Sequence, residues 1–120
     1  MRILDINWLD LLSKEAELKV SDGVYSVICF SCPCNYEVGD ILNTELEMLN
    51  ICNVVVIEEK GFEITKEKEY YAYRIKGKIS DNRSMIVIGG LRIHVESYTL
   101  PKDVLDGDFV EAKVNRFDVW

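Results

Sequence analysis

The chain has 120 residues, with 14 Lys and Arg against 21 Asp and Glu, so its formal net charge at pH 7 is −7. Hydrophobic residues make up 48% of it and charged residues 29%, which excludes a disordered or collagen-like chain. We expect one domain over residues 1–120 that closes its core without a metal or a disulfide. No apolar run reaches the ~20 residues of a membrane-spanning helix, and the first seven residues lack the pattern of a signal peptide.

The first predicted elements are a short helix and a hairpin. Asn7 is a suitable N-cap for a helix over residues 8–16. Alternating apolar and polar residues predict strands at 17–20 and 24–30, joined by a tight turn at Ser21-Asp22-Gly23 in which Gly23 supplies a positive φ. The chain is therefore expected to enter its sheet at about residue 17.

The middle of the chain predicts shorter and less regular elements. Residues 38–42 predict a short strand after the Cys-Pro-Cys-Asn turn, and residues 44–50 a second short helix. A β-branched run predicts a strand at 53–59, followed by a turn and the start of another strand at residue 62. We expect neither helix to be stable by itself, because short helices pay a nucleation cost.

The clearest strand signals lie in the second half. Residues 69–80 alternate strictly, and a turn at Asp81-Asn82 leads into an apolar run at 84–88. Gly89-Gly90 predicts a bulge or sharp bend before the alternating residues 91–96, and the last strand is expected at 109–119. The side chains expected to face inward are Tyr71, Tyr73, Ile75, Ile88, Ile93, Val95, Val110 and Val114.

Six to eight short strands with at most one or two short helices predict an all-β, mainly antiparallel fold, a small closed or partly open barrel. The early hairpin, the bend at Gly89-Gly90 and a final strand introduced by residues 105–108 resemble an OB-type five-stranded barrel with an extra hairpin. This resemblance covers residues 15–119 and lies in the strand pattern alone. It implies a binding role on one face and does not identify the ligand.

The charge is unevenly distributed along the chain. Residues 1–65 hold 4 basic and 12 acidic side chains, whereas residues 66–102 hold 8 basic and 4 acidic ones. If the strands at 69–80 and 91–96 are neighbours, their outward side chains form one basic face with an aromatic ring, suited to phosphates and stacked bases. The candidate binding residues are Tyr70, Arg74, Lys76, Lys78, Arg92 and His94. The alternative is a charged solvent face that prevents edge-to-edge aggregation.

Four cysteines are the candidate metal ligands, with the spacing C-x2-C-x-C and a distant fourth: Cys29, Cys32, Cys34 and Cys52. Zinc sites usually pair two C-x2-C units, and Cys52 has no such neighbour. We therefore expect no metal, no disulfide and no cofactor, with the thiols behaving as small apolar side chains in a reducing compartment.

No nucleophile, phosphate-loop or metalloprotease motif occurs, and the single histidine has no obvious reacting partner. We expect a non-catalytic, cytoplasmic interaction module that does not bind membranes. Its acidic surface would engage a basic protein partner, as immunity proteins engage cationic nucleases. The alternative is an anion or single-stranded nucleic-acid binder that uses residues 66–102, although the net charge disfavours nucleic acid. A cysteine metal site is a minor third hypothesis.

Overall fold

The computed structural model describes all 120 residues, and nine strands form one mixed sheet that curls into a half-barrel. A single 3-10 turn at Ser97–Thr99 accompanies them, and no helix is long and apolar enough to cross a membrane. The strands are β1 (Arg2–Asp10), β2 (Glu15–Ser21), β3 (Ser26–Ser31), β4 (Glu47–Ile57), β5 (Glu63–Lys66), β6 (Tyr73–Ser80), β7 (Met85–Ile88), β8 (Leu91–His94) and β9 (Phe109–Asp118). The prediction of an all-β, partly open barrel is confirmed.

The last strand, β9, organises the sheet. Strands β1, β2 and β3 form an antiparallel meander, and β3 then pairs in parallel with the end of β9 at Cys29–Phe117 and Phe30–Asp118. On the same side β9 pairs with β6, and on its other side with β4. Strands β7 and β8 continue beyond β6, and β5 pairs with the first half of β6.

A parallel bridge between Leu46 and Ile93 partly closes the barrel. The Leu46 N–H donates to the Arg92 carbonyl (2.9 Å), and the His94 N–H donates to the Leu46 carbonyl (2.8 Å). This bridge joins β8 to the residue just before β4. Beyond Leu46 the outer edge of β4 carries no strand, so the barrel stays open there.

The concave side of the sheet holds a core of 24 buried residues, and Phe117 is the largest of the fully buried side chains. Seven of the eight side chains predicted to face inward are buried, and this prediction is confirmed for them. Tyr71 lies before β6 and is only partly buried, with its ring against Phe30 at a centroid distance of 6.5 Å.

Both predicted helices are wrong. Residues 8–16 instead form the end of β1, a turn and the start of β2, with Trp8 opposite Ala16. A helix there would need its apolar stripe buried, but Leu9 and Leu12 are 44% and 98% exposed. Residues 44–50 lead into β4, whose pairing with β9 overrides a weak local helix preference.

Two further corrections concern turns. Residues 38–42 form a turn and one isolated bridge, Arg2–Ile41, instead of a strand. Gly89-Gly90 is the turn between two separate strands, so β7 separates β6 from β8 and the two basic strands are not neighbours. A Cβ at Gly89 would stand 2.7 Å from the Asp22 carboxylate, so glycine is needed where the β2–β3 turn packs against this turn.

Candidate functional site

The predicted basic face divides into two groups. Arg74, Lys76 and Lys78 point outward from β6, whereas Arg92 and His94 point outward from β8, with β7 between them. Lys78, Val87 and Arg92 occupy one row across the three strands, which places the two cations two strand spacings, roughly 10 Å, apart. Tyr70 lies outside both groups, and its hydroxyl donates to Glu17 (3.1 Å).

Carboxylates of the same chain already neutralise most of these cations. Arg74 contacts Glu67 (3.1 Å) and Glu111 (2.8 Å), while Lys76 contacts Glu63 (3.2 Å) and Glu59 (3.7 Å). The pKa of Lys76 is raised, chiefly by its hydrogen bond to Glu63. The local excess of positive charge in residues 66–102 is therefore largely cancelled by acids from other parts of the sequence.

The remaining cations of the set are held more loosely. Arg92 lies at the limit of an ion pair with Glu45 (4.0 Å), and Lys78 is exposed with no carboxylate at ion-pair distance. An anion approaching this surface would find Lys78 and Arg92 free to move toward it. Arg74 and Lys76 would first have to leave their carboxylates.

His94 lies in a groove of about 320 Å³ between the first half of β4 and residues 94–99. Its Nδ1 is 2.9 Å from a Glu47 carboxylate oxygen, and its Nε2 is 3.8 Å from Glu96. The hydrogen bond to Glu47 is the main reason that the pKa of His94 is raised. The imidazole is therefore biased toward its charged form, as the partner of two acids.

The four cysteines lie apart in the fold. Cys29 and Cys34 are buried in the core, Cys32 is half-buried with its Sγ 3.6 Å from the Ser13 carbonyl, and Cys52 is exposed on β4. Burial raises the pKa of the Cys29 thiol strongly. No group of three or more His, Cys, Asp or Glu side chains is placed to hold a metal ion.

Comparison with known proteins identifies the family. The sequence profile described as "Uncharacterised conserved protein UCP019853" matches residues 5–120. The chain belongs to this family. No curated protein and no solved structure matches the chain significantly. The match includes the whole sheet except the first three residues of β1.

The sequence predicts an acidic binding surface but not the exposed hairpin within it; we call residues 1–44 the acidic N-terminal segment. All ion pairs of the structure lie among residues 45–118, and none involves this segment. It contains seven acidic and three basic side chains. The exposed apolar side chains of its β1–β2 hairpin are Leu4, Trp8, Leu9, Leu11 and Leu12. The acidic composition was visible in the sequence, but the predicted helix concealed the exposed hairpin.

Proposed function

We propose that this chain is a non-catalytic module that binds a basic protein partner through the acidic N-terminal segment. The observation that carries the proposal is the contrast in ion pairing. Nine of the fourteen carboxylates in residues 45–120 lie within ion-pair distance of a basic side chain of the same chain, whereas none of the seven in residues 1–44 does, Asp5, Asp10 and Glu15 among them. A cationic partner would supply the missing charges, and such complementarity gives an interface speed and specificity.

The tip of the β1–β2 hairpin adds a second line of support. Asp10 and Glu15 are directly opposite each other in the β1–β2 register, and like charges in that position cost stability. A cation placed between them would remove this repulsion. In the free chain these two carboxylates repel each other, and a basic partner would relieve this repulsion.

Exposed apolar side chains stand beside these acids. Trp8 is 41% exposed and Leu11 is 74% exposed, close in sequence to Asp10. Protein interfaces combine aromatic or aliphatic anchors with a charged rim, and Trp is among the residues that most often dominate their binding energy. We place Trp8 at the centre of the proposed contact and the carboxylates around it.

A cytoplasmic location is part of the proposal. All four cysteines are free, and two of them are core side chains. Unpaired thiols of this kind suit a reducing compartment.

The test is affinity capture with the full chain, followed by reconstitution with the purified captured protein. The comparison variant carries Asp5→Asn, Asp10→Asn and Glu15→Gln. The matched control neutralises three other unpaired acids: Glu58→Gln, Asp81→Asn and Asp103→Asn. We expect a basic protein that the control retains and the hairpin variant loses, with affinity that falls as salt rises.

Single-stranded oligonucleotide at low salt forms the second arm of the test. Binding of the oligonucleotide, reduced by Lys78→Glu and unaffected by the hairpin variant, would favour the nucleic-acid hypothesis instead. Equal capture by the hairpin variant and the control would contradict the proposed surface.

A further inference from the structure

The groove beside His94 lies where two strands of the sheet diverge. The Leu46–Ile93 bridge joins the residue before β4 to β8. Past this bridge β4 continues along β9, whereas the Val95 N–H donates to the Ser84 carbonyl (3.0 Å), just before β7. The space between them is the groove of about 320 Å³, at the lower end of the range of roughly 300–1,000 Å³ that small-molecule sites occupy.

Part of the groove is apolar. Met48 and Ile51 on β4 are only partly buried, and Val95 lines the groove from the opposite side. We call these three side chains the apolar lining. Tyr98, on the 3-10 turn, also borders the groove and is 83% exposed. A hydrocarbon chain on the apolar lining would remove apolar surface from water, and a cation beside it would be attracted to the face of the tyrosine ring.

Two partly exposed carboxylates line the groove on either side of the His94 ring. Glu47 lies at Nδ1 and Glu96 at Nε2. Only one oxygen of Glu47 has a hydrogen-bond partner within the chain, and the carboxylate of Glu96 has none, because 3.8 Å is too long for a hydrogen bond. These carboxylates can therefore accept hydrogen bonds from a ligand.

The charges around the groove favour a cation. Arg92 lies at the limit of an ion pair with Glu45 (4.0 Å), so His94 is the basic side chain that Glu47 and Glu96 share. An anion would meet two carboxylates there, and no group of three side chains is placed to hold a metal ion. An organic cation fits both parts of the groove, because it combines a charge for the carboxylates with hydrocarbon for the apolar lining.

We propose that this groove binds a small organic cation with a primary ammonium group on a hydrocarbon chain. The ammonium group donates hydrogen bonds to Glu47 and Glu96 in place of the imidazole, and the hydrocarbon chain covers the apolar lining. The site includes no residue of the acidic N-terminal segment, so this inference is independent of the proposed function.

Binding of the cation competes with protonation of His94. The hydrogen bond to Glu47 is the main reason that the pKa of this imidazole lies above 6.5, and Glu96 and Glu45 raise it further. Strand β7, which packs against β8, has no charged residue, and Arg92 is the other charged residue of β8. Below the pKa the imidazolium neutralises the carboxylates. Above the pKa the ring is neutral, so an ammonium ion binds there more tightly.

The single imidazole of the chain reports the binding in NMR titrations of the full chain with n-hexylammonium at constant ionic strength. At pH 8.5 we expect a saturable change in the His94 signals with a dissociation constant on the order of 1 mM. At pH 5.5, at least about one unit below the pKa, competition with the proton should raise this constant about tenfold or more. The neutral analogue 1-hexanol should bind more weakly and show no such pH dependence.

Charge-removing variants test the two carboxylates. Glu47→Gln and Glu96→Gln should each raise the dissociation constant of n-hexylammonium at pH 8.5 about twofold to fivefold, because each removes one charged acceptor from a partly exposed site. Glu47→Gln should also reduce the pH dependence, since it lowers the pKa of His94. Glu58→Gln removes the same charge outside the groove and should leave the dissociation constant unchanged.

N-acetyl-lysine methylamide distinguishes the source of the ammonium group. Binding at least as tight as that of n-hexylammonium supports the site and assigns it to a lysine side chain of another protein, whereas weaker binding supports a free amine. His94 signals that do not change with about 50 mM n-hexylammonium at pH 8.5 would overturn the proposal. Equal binding of 1-hexanol, or a loss of binding with Glu58→Gln as large as with both groove variants, would overturn it as well.

Discussion

Residues 1–44 carry seven acidic and three basic side chains, and residues 45–120 carry fourteen and eleven. Every ion pair of the structure lies in the second part, and the first part forms none. Lys76 has Glu63 opposite it on β5 and Glu111 opposite it on β9. Strand pairing across the sheet, rather than charge density along the chain, therefore determines which charged side chains remain without an ion pair.

The difference follows from the neighbours that each strand has. Strands β5, β6 and β9 lie side by side, and acidic and basic residues alternate across them in the row of Glu63, Lys76 and Glu111. In the first hairpin Lys19 is opposite Asp5 without forming an ion pair, and Asp10 is opposite another acid, Glu15. The second part therefore holds many of its charges in contacts between neighbouring strands, whereas the first hairpin leaves its charges unpaired.

The largest expected effect tests whether the two parts share one core. Ile75→Ala on β6 and Leu18→Ala on β2 each remove a fully buried side chain. Each should lower the free energy of unfolding by about 2–4 kcal/mol, through lost burial and the cavity left behind. Denaturant titration should show one cooperative transition in both cases.

The exposed Leu12→Ala is the control for this experiment and should change stability by less than about 0.5 kcal/mol. Two separate transitions would mean that the parts differ in their cores as well as in their charges.

The next effect concerns a polar contact that joins the two parts. The Asp22 carboxylate accepts hydrogen bonds from Gly90 N–H (2.6 Å), Val24 N–H (2.8 Å) and Tyr25 N–H (2.7 Å). Asp22→Ala should cost about 1–3 kcal/mol, because three donors lose a charged acceptor. Asp22→Asn should cost less, and denaturant titration ranks the two variants.

The pH dependence provides a check on Asp22. Burial raises the pKa of this carboxyl, but the hydrogen bonds from Gly90, Tyr25 and Val24 outweigh burial and lower it below its ordinary value of 3.8. Its contribution is therefore present above that value and is lost as pH falls through the lowered pKa. A wild-type advantage that persists unchanged at the lowest pH would contradict this role.

A smaller effect is expected when the central cation of one ion-pair cluster is removed, which leaves its carboxylates unpaired like those of the first part. Lys76→Met leaves Glu59, Glu63 and Glu111 without their common cation. We expect a fall of a few degrees or less in the thermal midpoint at low salt, and a smaller fall at high salt, which screens the remaining acids. Lys78→Met, on the same strand and without an ion pair, should show neither change.

The smallest effect is expected at His94. Its hydrogen bond to Glu47 raises its pKa above 6.5, so the stabilisation is complete below that pH and is lost as pH rises through the raised value. The difference in stability between wild type and His94→Gln should thus be greater at about pH 5.5 than at about pH 8.5. Because the two side chains are 30% and 42% exposed, it should amount to a few tenths of a kcal/mol. An NMR titration of the single imidazole measures the pKa directly.

Strict alternation allowed much of the fold to be predicted. Tyr73, Ile75 and Ile79 face the core from β6 as their period-2 spacing indicates, and the turn with Gly23 lies where predicted. The two helices were wrong because their stability was judged locally, while the long-range partners of β1 and β4 decided the outcome.

The candidate site was less predictable than the fold. The residues of the basic face project outward as expected, but the acids beside them come from β5, β9 and the loop after β4. Which acids lie beside the basic residues depends on the order of the strands in the sheet, and period-2 spacing along the sequence does not predict that order. The same is true of the intervening β7, which follows from Gly89-Gly90 being a turn instead of a bend.

The parallel pairing of β3 with β9 has a consequence for biogenesis. The meander of β1, β2 and β3 leaves the ribosome first, but the strand that completes β3 is the last of the nine to be made. Closing so large a loop is entropically costly, and contacts so distant in sequence slow folding. Until β9 has been synthesised, the edge of β3 in the nascent meander stays unpaired. During this interval a chaperone would protect the chain from aggregation.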